Sequence, residues 1–310
     1  MIKSYFQRDE FINNIFKHAK KDKKVQFISV DFGAPALDQF RSKLKNQFTH
    51  LGICEQNAVD FACGMALEGH KSYIYAMAPF ISLRCLEQHK ASSCLMNLDV
   101  TTIVTGIGLS YANSGPTHYA TEDLACLRSL PNAIIYTASD PLSAKLISEV
   151  TYKTKGPKFV RLDRKASENF NNKIDYKDVI KGYRFLKKGS KKNICIISHG
   201  TIIKRAVDAA AKIKDKFQNN ISIVDLIRCK PFPKTLSQEL KKFDYLLTLD
   251  EQTYSGGLFS ILSERVDHKK ILNFSIPDKF IFENNGRELL LDQNGLSVKN
   301  IYNKLNNICN

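Results

Sequence analysis

A chain of 310 residues, 43% hydrophobic and 25% charged, has the make-up of an ordinary folded protein and the length for two compact domains. No apolar run nears the roughly 20 residues that cross a bilayer, and the charged opening over 1–24 has no apolar leader core, so the chain is expected in the cytoplasm and off membranes. The net charge of +15 admits a polyanion partner, but the lysines are spread along the chain without a zinc finger, an RNA-binding signature or aromatic-basic interleaving, and no nucleic-acid role is expected.

In chain order, short β-branched and apolar runs predict strands over 25–30, 73–77, 101–105, 133–137 and 159–162. Helical spacing predicts helices between them, over 37–44, 55–67, 83–96, 121–130 and 141–152. Strand and helix in alternation argue for a parallel sheet covered on both faces.

From 164 to 192 the chain turns polar and lysine-rich, which predicts a linker with room for one hairpin. The alternation then resumes with strands over 193–198, 221–226, 245–249 and 271–275 and helices over 201–217 and 297–308. The fold class expected is α/β, with two domains, each a mainly parallel sheet with helices on both faces. The eight cysteines form no C-x-x-C pair and no cluster at metal spacing, so reduced core thiols are expected and no metal ligands.

Three stretches carry chemistry. Thr49–Ala58 places Glu55 where a strand gives way to a helix, a position the helix dipole alone would explain. Tyr75–Gln88 places Phe80 just past a strand, at the edge where open α/β sheets hold ligands, although a core aromatic fits equally. Gly106–His118 is a glycine-containing loop long enough to suggest function, ending in a histidine suited to proton transfer. Each alone is weak.

Together and in this order they resemble the pyrimidine-binding domain of the transketolase superfamily. The residues that carry the likeness are Gly52-Ile53-Cys54-Glu55-Gln56, Pro79-Phe80 and Gly115-Pro116-Thr117-His118. Leu127-Arg128-Ser129-Leu130-Pro131-Asn132 adds to it, and Thr248 to Leu258 resembles the family's C-terminal domain. The likeness runs from about residue 5 to 306. It implies a pyrimidine-binding domain over 1–168, a linker over 169–190 and a C-terminal domain over 191–310.

The resemblance also implies roles. Glu55 would hydrogen-bond the aminopyrimidine of thiamine diphosphate and, with His118, be catalytic. A carboxyl group in that role must hold or share a proton, which burial favours, and Leu51, Ile53 and Cys54 are the expected apolar neighbours. Phe80 would stack on the pyrimidine, with Ile53, Leu83 and Arg84 also lining the cofactor. His118, Ser114 and Arg164 would meet the substrate, with Arg161 as the alternative to Arg164.

The family's diphosphate and Mg2+ site carries Gly-Asp-Gly, which occurs nowhere in these 310 residues. A large N-terminal transketolase subunit is therefore the expected partner, in an α2β2 heterotetramer acting on sugars or sugar phosphates. Ser114, Gly106, Leu83 and Leu86 depart from pentose-phosphate transketolases, so a different ketol donor is expected. A subunit like deoxyxylulose-phosphate synthase, a 2-oxoacid dehydrogenase beta-like subunit and a non-catalytic assembly subunit are the alternatives. His199 and Glu251 are expected to be satisfied structural residues.

Overall fold

Residues 5–170, 174–191, 193–268 and 270–309 are described by the structure, a computed structural model. Continuous apolar runs form the central strands. Val25–Ser29, Val100–Thr105, Lys158–Leu162, Ile194–Ser198 and Ile221–Leu226 are buried at every position, as parallel strands covered on both faces must be.

In chain order the strands are β1 (Tyr5–Phe6), β2 (Val25–Ser29), β3 (Phe48–His50), β4 (Lys71–Met77), β5 (Val100–Thr105), β6 (Ile134–Thr137) and β7 (Lys158–Leu162). They continue as β8 (Ala166–Ser167), β9 (Tyr183–Lys187), β10 (Ile194–Ser198), β11 (Ile221–Leu226), β12 (Arg228–Lys230), β13 (Tyr245–Thr253) and β14 (Ile271–Ile276). The first helices are α1 (Gln7–Ala19), α2 (Asp38–Lys43), α3 (Glu55–Leu67), α4 (Ala78–Ser82), α5 (Leu86–Gln88), α6 (Asp123–Ser129) and α7 (Pro141–Lys153). The rest are α8 (Tyr176–Lys181), α9 (Ile203–Ala211), α10 (Lys234–Leu240), α11 (Leu258–Arg265), α12 (Arg287–Gln293) and α13 (Val298–Cys309).

Two large sheets result. The first has the order β12-β6-β7-β5-β4-β2-β3 and is parallel except for β12. The second has the order β14-β13-β10-β11-β9 and is parallel except for β9. One face of the first sheet packs on α1 and α7 through Phe11, Ile12, Ile15, Ala144 and Ile147. Its other face shares a core with the second sheet, joining Ile74 and Val104 to Cys195, Ile197 and Val224. The α/β class and the two parallel sheets agree with the sequence reading, and all eight cysteines are free.

Local differences have physical causes. The stretch expected as a linker holds α8, capped by Asp175, and β9, an edge strand of the second sheet; no hairpin is present among the described residues. The helix expected over 201–217 stops at Ala211, and the Gln218 side chain caps its end by donating to the Ala210 carbonyl at 3.0 Å. The helix expected over 83–96 is broken into α5 and a π-helical turn over His89–Cys94. Strand β12 comes from the second half of the chain yet closes the edge of the first sheet.

The halves are also joined by buried charge. Arg287 donates to Asp163 at 2.6 Å and to Glu251 at 2.7 Å. Arg184 bridges Asp140 at 2.8 Å and Asp225 at 2.9 Å. Arg161 donates to Asp123 at 2.7 and 2.9 Å, and Gln252 donates to Asp123 and to the Ala120 carbonyl. Burial works against the Asp163 carboxylate, but Arg287 and Thr201 outweigh it and hold the group below its ordinary value.

Replacing Arg287 with Met leaves Asp163 and Glu251 buried without their cation, so unfolding free energy should fall by about 3–5 kcal/mol in denaturant titrations. Because the folded-state value of Asp163 lies below its unfolded value near 3.9, its contribution is present above that pH and lost as pH falls through the folded value. Wild type should therefore lose more stability than Asp163→Asn between about pH 5 and pH 3.

Candidate active site

Strand ends set the site. Ser29 stands opposite Tyr75, Met77 opposite Thr105, and Thr105 opposite Leu162. The loops that follow β2, β4, β5 and β7 therefore leave one edge of the sheet together, the edge where parallel sheets bind ligands.

After β3, Gly52 takes a left-handed turn at φ 74°, and α3 begins at Glu55. The turn separates Leu51, packed on the core, from Ile53, which is 74% exposed. Glu55 is buried, at 4% exposure. Its neighbour differs from the expectation: in place of an Ile53 wall, Arg84 Nη1 donates to Glu55 Oε2 at 2.7 Å. The Arg84 guanidinium also lies over the Phe80 ring, 4.4 Å from its centroid. Phe80, half-buried on α4, meets His118 edge to face at 5.3 Å. The structure thus brings Glu55, Arg84, Phe80 and His118 into one line, with Leu83 on the exposed side.

The loop after β5 is fixed at its base. Gly106 sits at φ 87° and donates to the Leu162 carbonyl at 2.8 Å. Gly108 exchanges backbone hydrogen bonds with Ala120, and Leu109 N donates to Glu251 Oε2 at 3.0 Å. A Cβ at 108 would lie 2.6 Å from Glu251 Cβ, so only glycine lets the strand end and the second half meet there. Tyr119 Oη lies 2.9 Å from the Ala112 carbonyl and 2.6 Å from the Glu283 carbonyl, either of which can accept its one proton. Ser114 is left exposed at the tip. His118 Nδ1 lies 2.9 Å from Thr117 Oγ1.

Of the two candidate arginines, Arg161 is buried in its pair with Asp123 and donates to Thr137 at 3.0 Å. Arg164 is exposed, its guanidinium 4.7 Å from the Tyr111 ring centroid, and it makes no hydrogen bond or ion pair among the described residues. Glu251 is satisfied structurally, as expected. His199 meets Arg161 at 3.4 Å through Nδ1, while its Nε2 is buried without a hydrogen-bond partner.

Residues 8–168 match the family described as transketolase, pyrimidine-binding domain, and residues 184–301 match transketolase, C-terminal domain. The chain belongs to the transketolase family. Among transketolase-family relatives it is 30% identical to one of the subunits of apulose-4-phosphate transketolase of Actinobacillus succinogenes, over 74% of this chain and 72% of that one. It is also 30% identical to 1-deoxy-D-xylulose-5-phosphate synthase of Dictyoglomus thermophilum, over 87% of this chain but 44% of that protein. The chain thus spans a little under half the length of the synthases it matches. In fold it is similar to a structure described as split gene transketolase, inactive beta4 tetramer (TM-score 0.84, 23% identity, 98% of both chains). Campylobacter jejuni transketolase gives a TM-score of 0.83 at 18% identity, over 98% of this chain and 46% of that one.

The sequence reading missed Tyr111, whose ring fills the space above Gly106. A Cβ added at 106 would run into Tyr111 Cε2 and lie 2.7 Å from Cδ2. A glycine at a strand end five residues before an aromatic was the available signal, but nothing in the spacing says that the loop folds back. Gly106→Ala meets both that ring and a left-handed backbone, and should cost about 2–5 kcal/mol in thermal or chemical unfolding. Gly33→Ala, with nothing within 4 Å of the added Cβ, should stay within about 0.5 kcal/mol.

Proposed function

We propose that this chain supplies the pyrimidine-binding half of a thiamine diphosphate site, in an enzyme that transfers two-carbon ketol units between sugars. The observation that carries the proposal is the buried Glu55 carboxylate at the first turn of α3, joined through Arg84 to the half-buried face of Phe80. A hydrogen-bonding carboxyl beside an aromatic face fits a planar aminopyrimidine. When bound, thiamine diphosphate supplies a carbon nucleophile and an electron sink for the ketol carbon. Glu55 would hold or share the proton of a ring nitrogen, and Phe80 would orient the ring by stacking. Arg84, Leu83 and Ile53 would line its edge.

His118 would face the substrate. With Nδ1 beside Thr117, its other ring nitrogen can accept or donate a proton at a sugar oxygen. Arg164 and Ser114 would bind the far part of a sugar or sugar phosphate. The diphosphate and Mg2+ would be held by a large N-terminal transketolase subunit, in a cytoplasmic α2β2 assembly. The Actinobacillus relative is named as one subunit of its enzyme, which supports a partner. So do the exposed apolar side chains Ile53, Phe61, Leu67, Leu83, Leu95 and Met96, on α3 and the segments flanking it. No helix among the described residues is long and apolar enough to cross a membrane. The pyrimidine-binding domain would span 1–168 and the C-terminal domain 191–310, with the segment between them adding β9 to the edge of the second sheet.

A second reading, a subunit like deoxyxylulose-phosphate synthase, is favoured by the synthase relatives. Pyruvate as donor would release carbon dioxide, whereas ketol transfer releases none. Under the main reading, Glu55→Gln in the complex with the large subunit should lower kcat by roughly 10²- to 10⁴-fold. Assembly, followed by size-exclusion chromatography, should be unchanged. Turnover that survives Glu55→Gln at wild-type rate contradicts a thiamine role for this carboxylate.

A further inference from the structure

Tyr111 is 4% exposed, and its ring is surrounded on several sides. Phe32 meets it edge to face at 6.1 Å, His118 lies 6.4 Å away, and the bare Cα of Gly106 lies against its edge. On the ring sits the Arg164 guanidinium, 4.7 Å from the centroid. A guanidinium held on an aromatic face keeps N–H donors free for an anion, because the ring face claims none of them as a hydrogen-bond acceptor would. Those donors are unclaimed, since Arg164 has no hydrogen bond or ion pair among the described residues. The Tyr111 hydroxyl adds nothing to the hold: it is buried and has no hydrogen-bond partner, and burial pushes it up to about 12 against the pull of Arg164 and Arg8.

The ring therefore has a task that the hydroxyl does not share. Gly106 leaves the space that the ring fills, and the ring fixes where the Arg164 cation stands at the carboxyl edge of the sheet. We propose that Tyr111 is a positioning residue that selects anionic donors by presenting Arg164 to the substrate's phosphate or carboxylate end. The inference rests on the reading of Arg164 as substrate-binding. It adds a residue and a steric partnership, Gly106 with Tyr111, to that reading.

The test uses the full chain, alone and with its large subunit, as wild type, Tyr111→Leu, Tyr111→Phe, Arg164→Ala and the Leu/Ala double variant. Leucine keeps apolar bulk in the core while removing the aromatic face, and phenylalanine restores that face without the hydroxyl. Inorganic phosphate is titrated at constant ionic strength and followed by NMR shifts. Donor KM and kcat are measured with fructose 6-phosphate and with fructose.

Tyr111→Leu should weaken phosphate binding about three- to thirtyfold. It should raise the KM of the phosphorylated donor by a similar factor, moving kcat far less and leaving the fructose KM in place. Tyr111→Phe should recover wild-type phosphate binding, and Tyr111→Leu should add nothing in the Arg164→Ala background. Equal phosphate binding by wild type and Tyr111→Leu, an additive double variant, or equal losses with both donors overturns the assignment. Tyr111-dependent phosphate binding without any turnover supports it while counting against the thiamine reading. Turnover that needs Glu55, with phosphate binding indifferent to Tyr111, does the reverse.

Discussion

Glu251 holds the architecture of the site together from the other domain. Its carboxylate takes two donations from Arg287 and one from Leu109 N, so a strand of the second sheet fixes the loop that follows the first sheet's β5. Arg287 in turn reaches Asp163, at the end of β7, from which Arg164 follows. One buried cation and two carboxylates thereby set the positions of two segments that line the sheet edge. Three charges in the interior are tolerable only because each is paired and hydrogen-bonded, and removing one would leave the others facing a large desolvation penalty. The second domain thus braces the base of the loop that carries Tyr111 and His118, at Leu109, and the residue before Arg164, at Asp163.

At the edge itself the groups differ in how tightly they are held. Glu55 is buried and Phe80 half-buried, whereas Arg84 reaches both from an exposed position. The arginine covers the aromatic face and pairs with the carboxylate, so a planar ring that stacked on Phe80 would take over a contact that Arg84 now makes. Farther along the edge, Arg164 stands on Tyr111 with its donors unclaimed. The carboxylate and the rings are thus buried or half-buried, and the two guanidinium groups that stand on those rings are exposed.

Much of this was legible in the chain. Helix α3 runs over 55–67 as its spacing predicts, and the strands over 25–29, 100–105 and 194–198 lie where continuous apolar runs place them. The motif residues Glu55, Phe80 and His118 do come together. Short edge strands such as β9 and β12 were not visible, because the short apolar run of β9 is broken by Arg184 and Lys187 and β12 is three residues long. The exposure of Ile53 was hidden for a different reason: a left-handed glycine decides it, and Gly52 gives no periodic signal. Tyr111 and the Arg287 network depend on residues far apart in sequence, and no local pattern reports them.

On the proposed function, half of a thiamine diphosphate site lies on this chain and the other half on a large subunit. Calorimetric titration of thiamine diphosphate with Mg2+ into the co-expressed complex, and into this chain alone, tests it directly. Tight binding by the complex and none by the chain alone is the predicted result. Tight binding by the isolated chain, or none by a properly assembled complex, would contradict it.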